Sequence, residues 1–138
     1  MTLAENFARE AEKLVGTSFR LRGRNPATGL DCVGLVSCAL SAARGWVKAP
    51  DGYALRNATL EPYLTFAGRN GFENAVGSIV RGDLLLVRPG PAQTHLVVAT
   101  SPDRFVHAHA SLGRVAIHAG TLTWSIHRHY RLLPLIEE

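Results

Sequence analysis

The stretch Gly29-Leu30-Asp31-Cys32-Val33-Gly34-Leu35-Val36-Ser37-Cys38-Ala39-Leu40 decides how this chain folds. Within it, positions 32, 35, 36, 39 and 40 are apolar at the i, i+3, i+4, i+7, i+8 spacing of one helical face. Asp31 precedes the first of them, where a short side-chain oxygen accepts from the free amides of a first helical turn. The pattern predicts a buried helix that opens at Cys32, runs to about Arg44 and stops at Gly45. Cys32 then faces unpaired backbone N–H groups and the positive end of the helix dipole, both of which favour thiolate over thiol. The Asp31 carboxylate opposes that effect unless capping uses it up, so the sulfur needs a base from elsewhere in the chain. A buried thiol also packs well as a small hydrophobe, and this stretch alone leaves structural and nucleophilic roles both open.

Upstream, Thr2 and Glu5 form a capping-box pattern, and Phe7, Ala11, Leu14 and Val15 mark one face of a first amphipathic helix that Gly16 ends. Residues 16 to 31 read as a loop in which Arg20, Arg22 and Arg24 alternate with Leu21 and Gly23, followed by the turn sequence Asn25-Pro26-Ala27-Thr28-Gly29. The loop delivers the chain to Cys32, and its three arginines offer bidentate donors for substrate carboxylates. Downstream, the pattern is weak from Trp46 to Gly77. Ala49-Pro50-Asp51-Gly52 reads as a turn, and Thr59 as the cap of a short helix through Pro62, Tyr63 and Phe66 that ends near Gly68 or Gly71. After Gly82 the texture becomes that of strands, at Asp83–Arg88, Thr94–Thr100, Arg104–Ala110, Arg114–His118 and Arg128–Leu133. Helices first and strands afterwards predict an α+β fold with the Cys32 helix packed on an antiparallel sheet of about five strands.

At 138 residues the chain fits one domain, spanning 1–138, and is long enough to bury a core. Its net charge of +4 and pI near 9.6 come mostly from arginine, without a basic stripe interleaved with aromatics. Nucleic-acid binding is therefore not expected. Cys32 and Cys38, if on one helix, stand about 9 Å apart along its axis, which excludes a disulfide between them. The first residues lack the basic and apolar regions of a signal peptide, and no apolar run reaches membrane-spanning length. A chain made in the cytoplasm without its own signal peptide or membrane insertion is the expectation.

Six histidines supply candidate bases. His95, Val97 and Ala99 share one strand face. If Ser101-Pro102-Asp103 is a three-residue hairpin loop, Thr100 pairs with Arg104, His95 lies opposite His109, and His107 sits on the diagonal. A base for a cysteine must be neutral near pH 7, within reach of the sulfur, and oriented through its other nitrogen. His95 with His107 or His109 meets that need. The pairs His107/His109 and His127/His129 also have the spacing of zinc ligands on a strand, but no third ligand stands at a recognisable spacing, so no metal is expected.

Asp31-Cys32-Val33-Gly34-Leu35-Val36, Gly82-Asp83-Leu84-Leu85-Leu86, and His95 followed by Phe105-Val106-His107-Ala108, in this order and separation, resemble the NlpC-type cysteine peptidases. These are papain-like cell-wall hydrolases, and the likeness runs from about Leu14 to about Leu133. It implies Cys32 as nucleophile, His95 as general base and then acid, and His107 as the residue that orients His95. Gly16-Thr17-Ser18-Phe19-Arg20 looks like the family's Gly-Thr-Pro-Tyr-Arg segment, with Phe19 where a tyrosine hydroxyl usually faces the site and Val33 where serine usually follows the cysteine. A phenyl ring donates no hydrogen bond, which shifts oxyanion stabilisation to backbone N–H groups near Cys32. Phe19, Arg20 and Asp31 are the expected substrate-binding residues, and no cofactor is implied.

The resemblance further implies hydrolysis of an amide in peptidoglycan stem peptides, commonly between D-γ-glutamyl and a diamino acid. The short form with Pro26-Ala27-Thr28-Gly29-Leu30-Asp31-Cys32 looks most like members carried in phage tails or gene-transfer-agent particles. Those breach the wall locally, which would place the chain in a particle among tail proteins and its action in the periplasm. Two other readings stand beside this one. The chain could keep the fold as a silent tail or hub protein that binds cell wall or protein partners, or use the same Cys-His pair as an acyltransferase.

Overall fold

The computed structural model describes residues 2–49, 60–91 and 93–134. Helix α1 spans Leu3–Lys13, and the Thr2 hydroxyl caps it by accepting from the Glu5 amide at 3.1 Å. Its buried face is Leu3, Phe7, Ala8 and Ala11. The helix stops two residues short of the end of the expected stripe, so Leu14 is the cap and Val15 is exposed. The arginine-rich loop contains a two-residue ladder, β1 Arg24–Asn25 against β2 Gly29–Leu30, closed by the Asn25–Gly29 turn.

Helix α2 spans Cys32–Arg44, with Asp31 as N-cap and Gly45 in the left-handed conformation at its end. All five residues of the expected face are buried, and so are Val33, Gly34 and Ser37, so the first turns are enclosed on every side. Gly34 is needed there because a Cβ would overlap the Gly23 carbonyl. Helix α3 spans Glu61–Arg69 and buries Tyr63, Phe66 and Ala67. The expected cap Thr59 and most of the 49–52 turn lie outside the described residues.

The strands are β3 Phe72–Asn74, β4 Leu84–Arg88, β5 His95–Ser101, β6 Arg104–His109, β7 Arg114–Ala119 and β8 Ser125–Leu132. They form one antiparallel sheet in the order β3-β8-β4-β5-β6-β7. Among the described residues the sheet therefore has six strands rather than about five. The additional strand, β3, is too short for any alternation to show, and is recruited only by pairing with β8.

One face of the sheet, with Leu84, Leu86, Leu96, Val98, Val106 and Ala108, packs on the helices. The other buries Leu85, Val87, Val97, Ala99 and Phe105 beneath Ile79, Leu122 and Trp124. Burial on both faces explains the unbroken apolar run in β4. Asp83, just before β4, is fully buried and anchors β8 through both carboxylate oxygens, with Arg131 at 3.0 Å on each and His129 at 2.6 Å.

Candidate active site

Cys32 is the first residue of α2, and His95 the first of β5. Both line a cavity of about 610 Å³ at the end of the sheet, together with Phe19, Leu21, Arg22, Pro89, Gln93, Thr94, His107, Ala108, His109, Ala110, Ser111 and Trp124. A second, more open groove of about 510 Å³ lies between α3 and the β3/β8 edge and contains neither cysteine nor histidine.

The Cys32 sulfur is wholly buried, and the backbone amides of Leu96 and Val33 face it. Burial first, and the Asp31 carboxylate second, push the thiol up to about 12, against the opposing pull of those amides and Arg24. Burial, then the neighbouring His107 and His109, bring His95 down to about 3. His107 is lowered to about 4 by burial and by His109 and His118. The resting site is accordingly a neutral thiol beside neutral imidazoles.

His95 Nε2 lies 3.0 Å from His107 Nδ1. His107, not His109, is thus the residue within hydrogen-bond distance of His95 Nε2. His109 stacks at 5.3 Å on His107, and its Nδ1 accepts from the Leu112 amide at 3.1 Å. The register around the hairpin is the expected one at Val98↔Val106 and Ala99↔Phe105, but Ser101 rather than Thr100 pairs with Arg104. A bulge between Ala99 and Ser101 takes up the extra residue.

Of the expected substrate-binding residues, Phe19 lines the cavity, held by its amide on Gly113 O at 2.8 Å and by a bridge to Leu30. Arg20 is exposed and does not line the cavity; Arg22 does. Asp31 is placed differently from a substrate contact: it is fully buried, and donors from Gly34, Arg24 and Arg22 occupy its carboxylate. Oδ1 accepts from the Gly34 amide at 2.8 Å and Arg24 Nη1 at 3.0 Å, while Oδ2 accepts from the Arg22 amide at 2.8 Å. One carboxylate therefore sets the first turn of α2 and the adjoining loop together.

Sequence reasoning missed four contributors. Trp124, from the segment between β7 and β8, packs edge-on at 5.9 Å from His95 and 5.5 Å from His107. The Thr94 hydroxyl is buried beside His95 without a hydrogen-bond partner. Gln93 lines the same wall. Tyr63, buried in the core with Cys32, has its phenol held above its ordinary value by burial and then by Cys32 and Asp31. Nothing local marks a loop tryptophan or an amphipathic-helix tyrosine as a site residue. Only the adjacency of Gln93 and Thr94 to His95 was available as a signal. Among the described residues no group of three or more His, Cys, Asp or Glu is arranged to hold a metal ion, and no helix is long and apolar enough to cross a membrane.

No family model and no curated protein matches the sequence. Solved structures do match. NlpC2 of Trichomonas vaginalis superimposes with a TM-score of 0.70 at 14% identity, covering 98% of this chain and 48% of that one. The peptidoglycan hydrolase RipB of Mycobacterium tuberculosis gives 0.64 at 17% identity, over 97% of this chain and 66% of its own. The P60 domain of an antigen from M. avium subspecies paratuberculosis gives 0.65 at 17% identity over 94% and 93%. The chain spans about half the length of the Trichomonas protein and nearly all of the P60 domain. With helices α1 to α3 among the described residues packed on an antiparallel sheet, and this extent of superposition, the chain has the papain-like fold of the NlpC/P60 domains.

Proposed function

We propose that this chain is a cysteine hydrolase that cuts an amide in peptidoglycan stem peptides, at the bond between D-γ-glutamyl and a diamino acid. The observation that carries the reading is that Cys32, at a helix N-terminus, shares one cavity with a hydrogen-bonded His95–His107 pair. Structural neighbours described as peptidoglycan hydrolases supply the substrate class. A role in a phage-tail or gene-transfer-agent particle, acting in the periplasm, belongs to the same proposal and rests on the sequence resemblance.

In the first step His95 Nδ1 accepts the Cys32 proton as the sulfur attacks the carbonyl carbon. The amide of Cys32 at the α2 N-terminus is the candidate donor to the oxyanion. His95 returns the proton to the leaving nitrogen as the C–N bond breaks, leaving a thioester. Water then attacks with His95 again as base, and collapse releases the carboxylate and regenerates the thiol.

A second reading, a binding protein with a silent site, is favoured by Phe19 in place of a hydroxyl donor and by the un-ionised thiol. The test is mass spectrometry of soluble muropeptides after incubation with the wild type, Cys32→Ala and His95→Ala. New fragments from the wild type alone establish the hydrolase and identify the bond. Intact peptides in all three samples would leave the binding reading in its place.

A further inference from the structure

Arg22 is the only non-glycine residue at positive φ among the described residues, at +60°. It occupies the third position of a tight turn closed by the Gly23 amide on Arg20 O at 2.8 Å. With Leu21 at negative φ, this is the sign pattern of a type II turn, whose third position calls for glycine or asparagine. An arginine there is held against its backbone preference, and its amide is pinned by Asp31 Oδ2 at 2.8 Å. Among the described residues the other eight positive-φ positions are all glycine.

What arginine adds is its side chain. Arg22 lines the Cys32 cavity, and among the described residues no lysine, carboxylate or second arginine lines it. Of its two neighbours in the loop, Arg24 is committed to Asp31 at 3.0 Å and Arg20 lies off the cavity. The same Asp31 caps the helix that begins at Cys32. The Arg22 backbone and the start of the Cys32 helix are therefore held by one buried carboxylate.

We propose that Arg22 determines specificity by anchoring a free carboxylate that the substrate carries next to the scissile amide. This rests on the hydrolase reading above and deepens it: a γ-linked glutamyl residue leaves its α-carboxylate free at that place, whereas its α-amidated counterpart does not. The fork of an arginine matches a carboxylate through two parallel hydrogen bonds, and a carboxamide forfeits both the charge and one acceptor.

The experiment compares wild type, Arg22→Gly and Arg22→Lys on a synthetic L-Ala-γ-D-Glu-diamino acid peptide and on its α-carboxamide. Cleavage is followed by mass spectrometry, and binding by calorimetry in a Cys32→Ala background. Arg22→Gly is expected to keep its melting temperature, because relief of the left-handed backbone offsets the added freedom of the unfolded chain. Its KM for the carboxylate peptide should rise roughly ten- to hundredfold, with kcat changed less than about threefold. The wild-type preference for the carboxylate peptide should shrink by the same factor, and Arg22→Lys should restore part of it.

Equal treatment of the two peptides by wild type, or an unchanged preference in Arg22→Gly, would overturn the anchor even if cleavage depends on Cys32. If wild type cuts neither peptide, a carboxylate preference in binding that vanishes in Arg22→Gly upholds the anchor while removing the hydrolase. Absence of binding to either peptide removes both.

Discussion

His95 Nε2 and His107 Nδ1 lie 3.0 Å apart, joining the first residue of β5 to the middle of β6. For His95 Nδ1 to serve as a base it must be unprotonated, so the proton of neutral His95 sits on Nε2 and is donated to His107 Nδ1. In the proposed mechanism His107 thereby sets both the ring orientation and the tautomer. Replacing His95 by alanine removes the base itself and should cost about 10²- to 10⁴-fold in kcat. His107→Ala, which leaves the base but frees its ring, should cost less, on the order of tenfold to a hundredfold. His107→Asn, whose amide oxygen can accept the same N–H, should recover part of that loss. Steady-state kinetics on one muropeptide decide it, and equal rates in His107→Ala and wild type would remove His107 from the mechanism.

The carboxylate of Asp31 is fully buried, and the Gly34 amide, the Arg22 amide and the Arg24 guanidinium converge on it. Asp31→Ala loses the helix cap and leaves these donors without their acceptor, at a cost of about 2–4 kcal/mol. Asp31→Asn keeps an oxygen but turns an N–H donor toward N–H donors, and should also destabilise. The sulfur should respond in the opposite sense, since the Asp31 charge is the second cause of the raised Cys32 value. In Asp31→Asn the thiol becomes more acidic, and the alkylation rate at pH 8 should rise. Urea melts and iodoacetamide kinetics test the two halves separately, and an unaltered alkylation profile would show that the carboxylate does not reach the sulfur.

The division between what the sequence made legible and what it did not follows the range of the interactions. The α2 start was legible because the Asp31 cap and the apolar spacing from Cys32 to Leu40 are both local to one stretch. His95 and His107 were brought to one strand face by alternation and hairpin arithmetic, even though Thr100 is bulged rather than paired. Asp31 was legible as a cap, but its engagement with Arg22 and Arg24 depends on the loop folding back over the helix end. Strand β3 and the first residues of β8 depend on each other's edges or on β4, and three residues carry no period to read. Trp124 reaches the histidines because the segment between β7 and β8 crosses the far face of the sheet, a path that strand order alone determines.

The pH dependence follows from neutral partners. With His95 near 3, His107 near 4 and Cys32 near 12, kcat/KM should be level across neutral pH and fall only in acid, below about pH 5. The two histidines titrate as a coupled pair, so the acid limb reports the pair. Stability behaves differently. Both histidines have folded values below their ordinary 6.5, so the unfolded chain binds more protons once the pH drops under that point. Stability is then lost as the pH falls from about 6.5 toward 4. Asp83 acts lower: despite its burial, Arg131, the Val80 amide and His129 hold it below its ordinary 3.8, and its contribution is lost only as it protonates. Urea midpoints at pH 7.5, 6 and 5 should decline stepwise in wild type and decline less in His95→Ala. A midpoint constant over that range would contradict the buried, neutral state of the pair.

Trp124 covers one side of the histidine pair. Its ring stands edge-on to His95 at 5.9 Å and to His107 at 5.5 Å, with His118 on it at 6.0 Å. Burial is the largest cause of the lowered values of both His95 and His107, so opening this side to water should raise both toward 6.5. In Trp124→Ala the acid limb of kcat/KM should move toward neutrality, so that part of the His95 population is protonated and inactive at pH 6. The residual rate at pH 8, where the pair is neutral with or without the indole, should fall much less. Trp124→Phe retains an aromatic cover and should leave the profile near that of wild type. Imidazole proton resonances followed from pH 3 to 8 measure the same shift without turnover. If they titrate identically in Trp124→Ala and wild type, the indole does not control the water that reaches His95, and the depth of the cavity itself must hold the pair neutral.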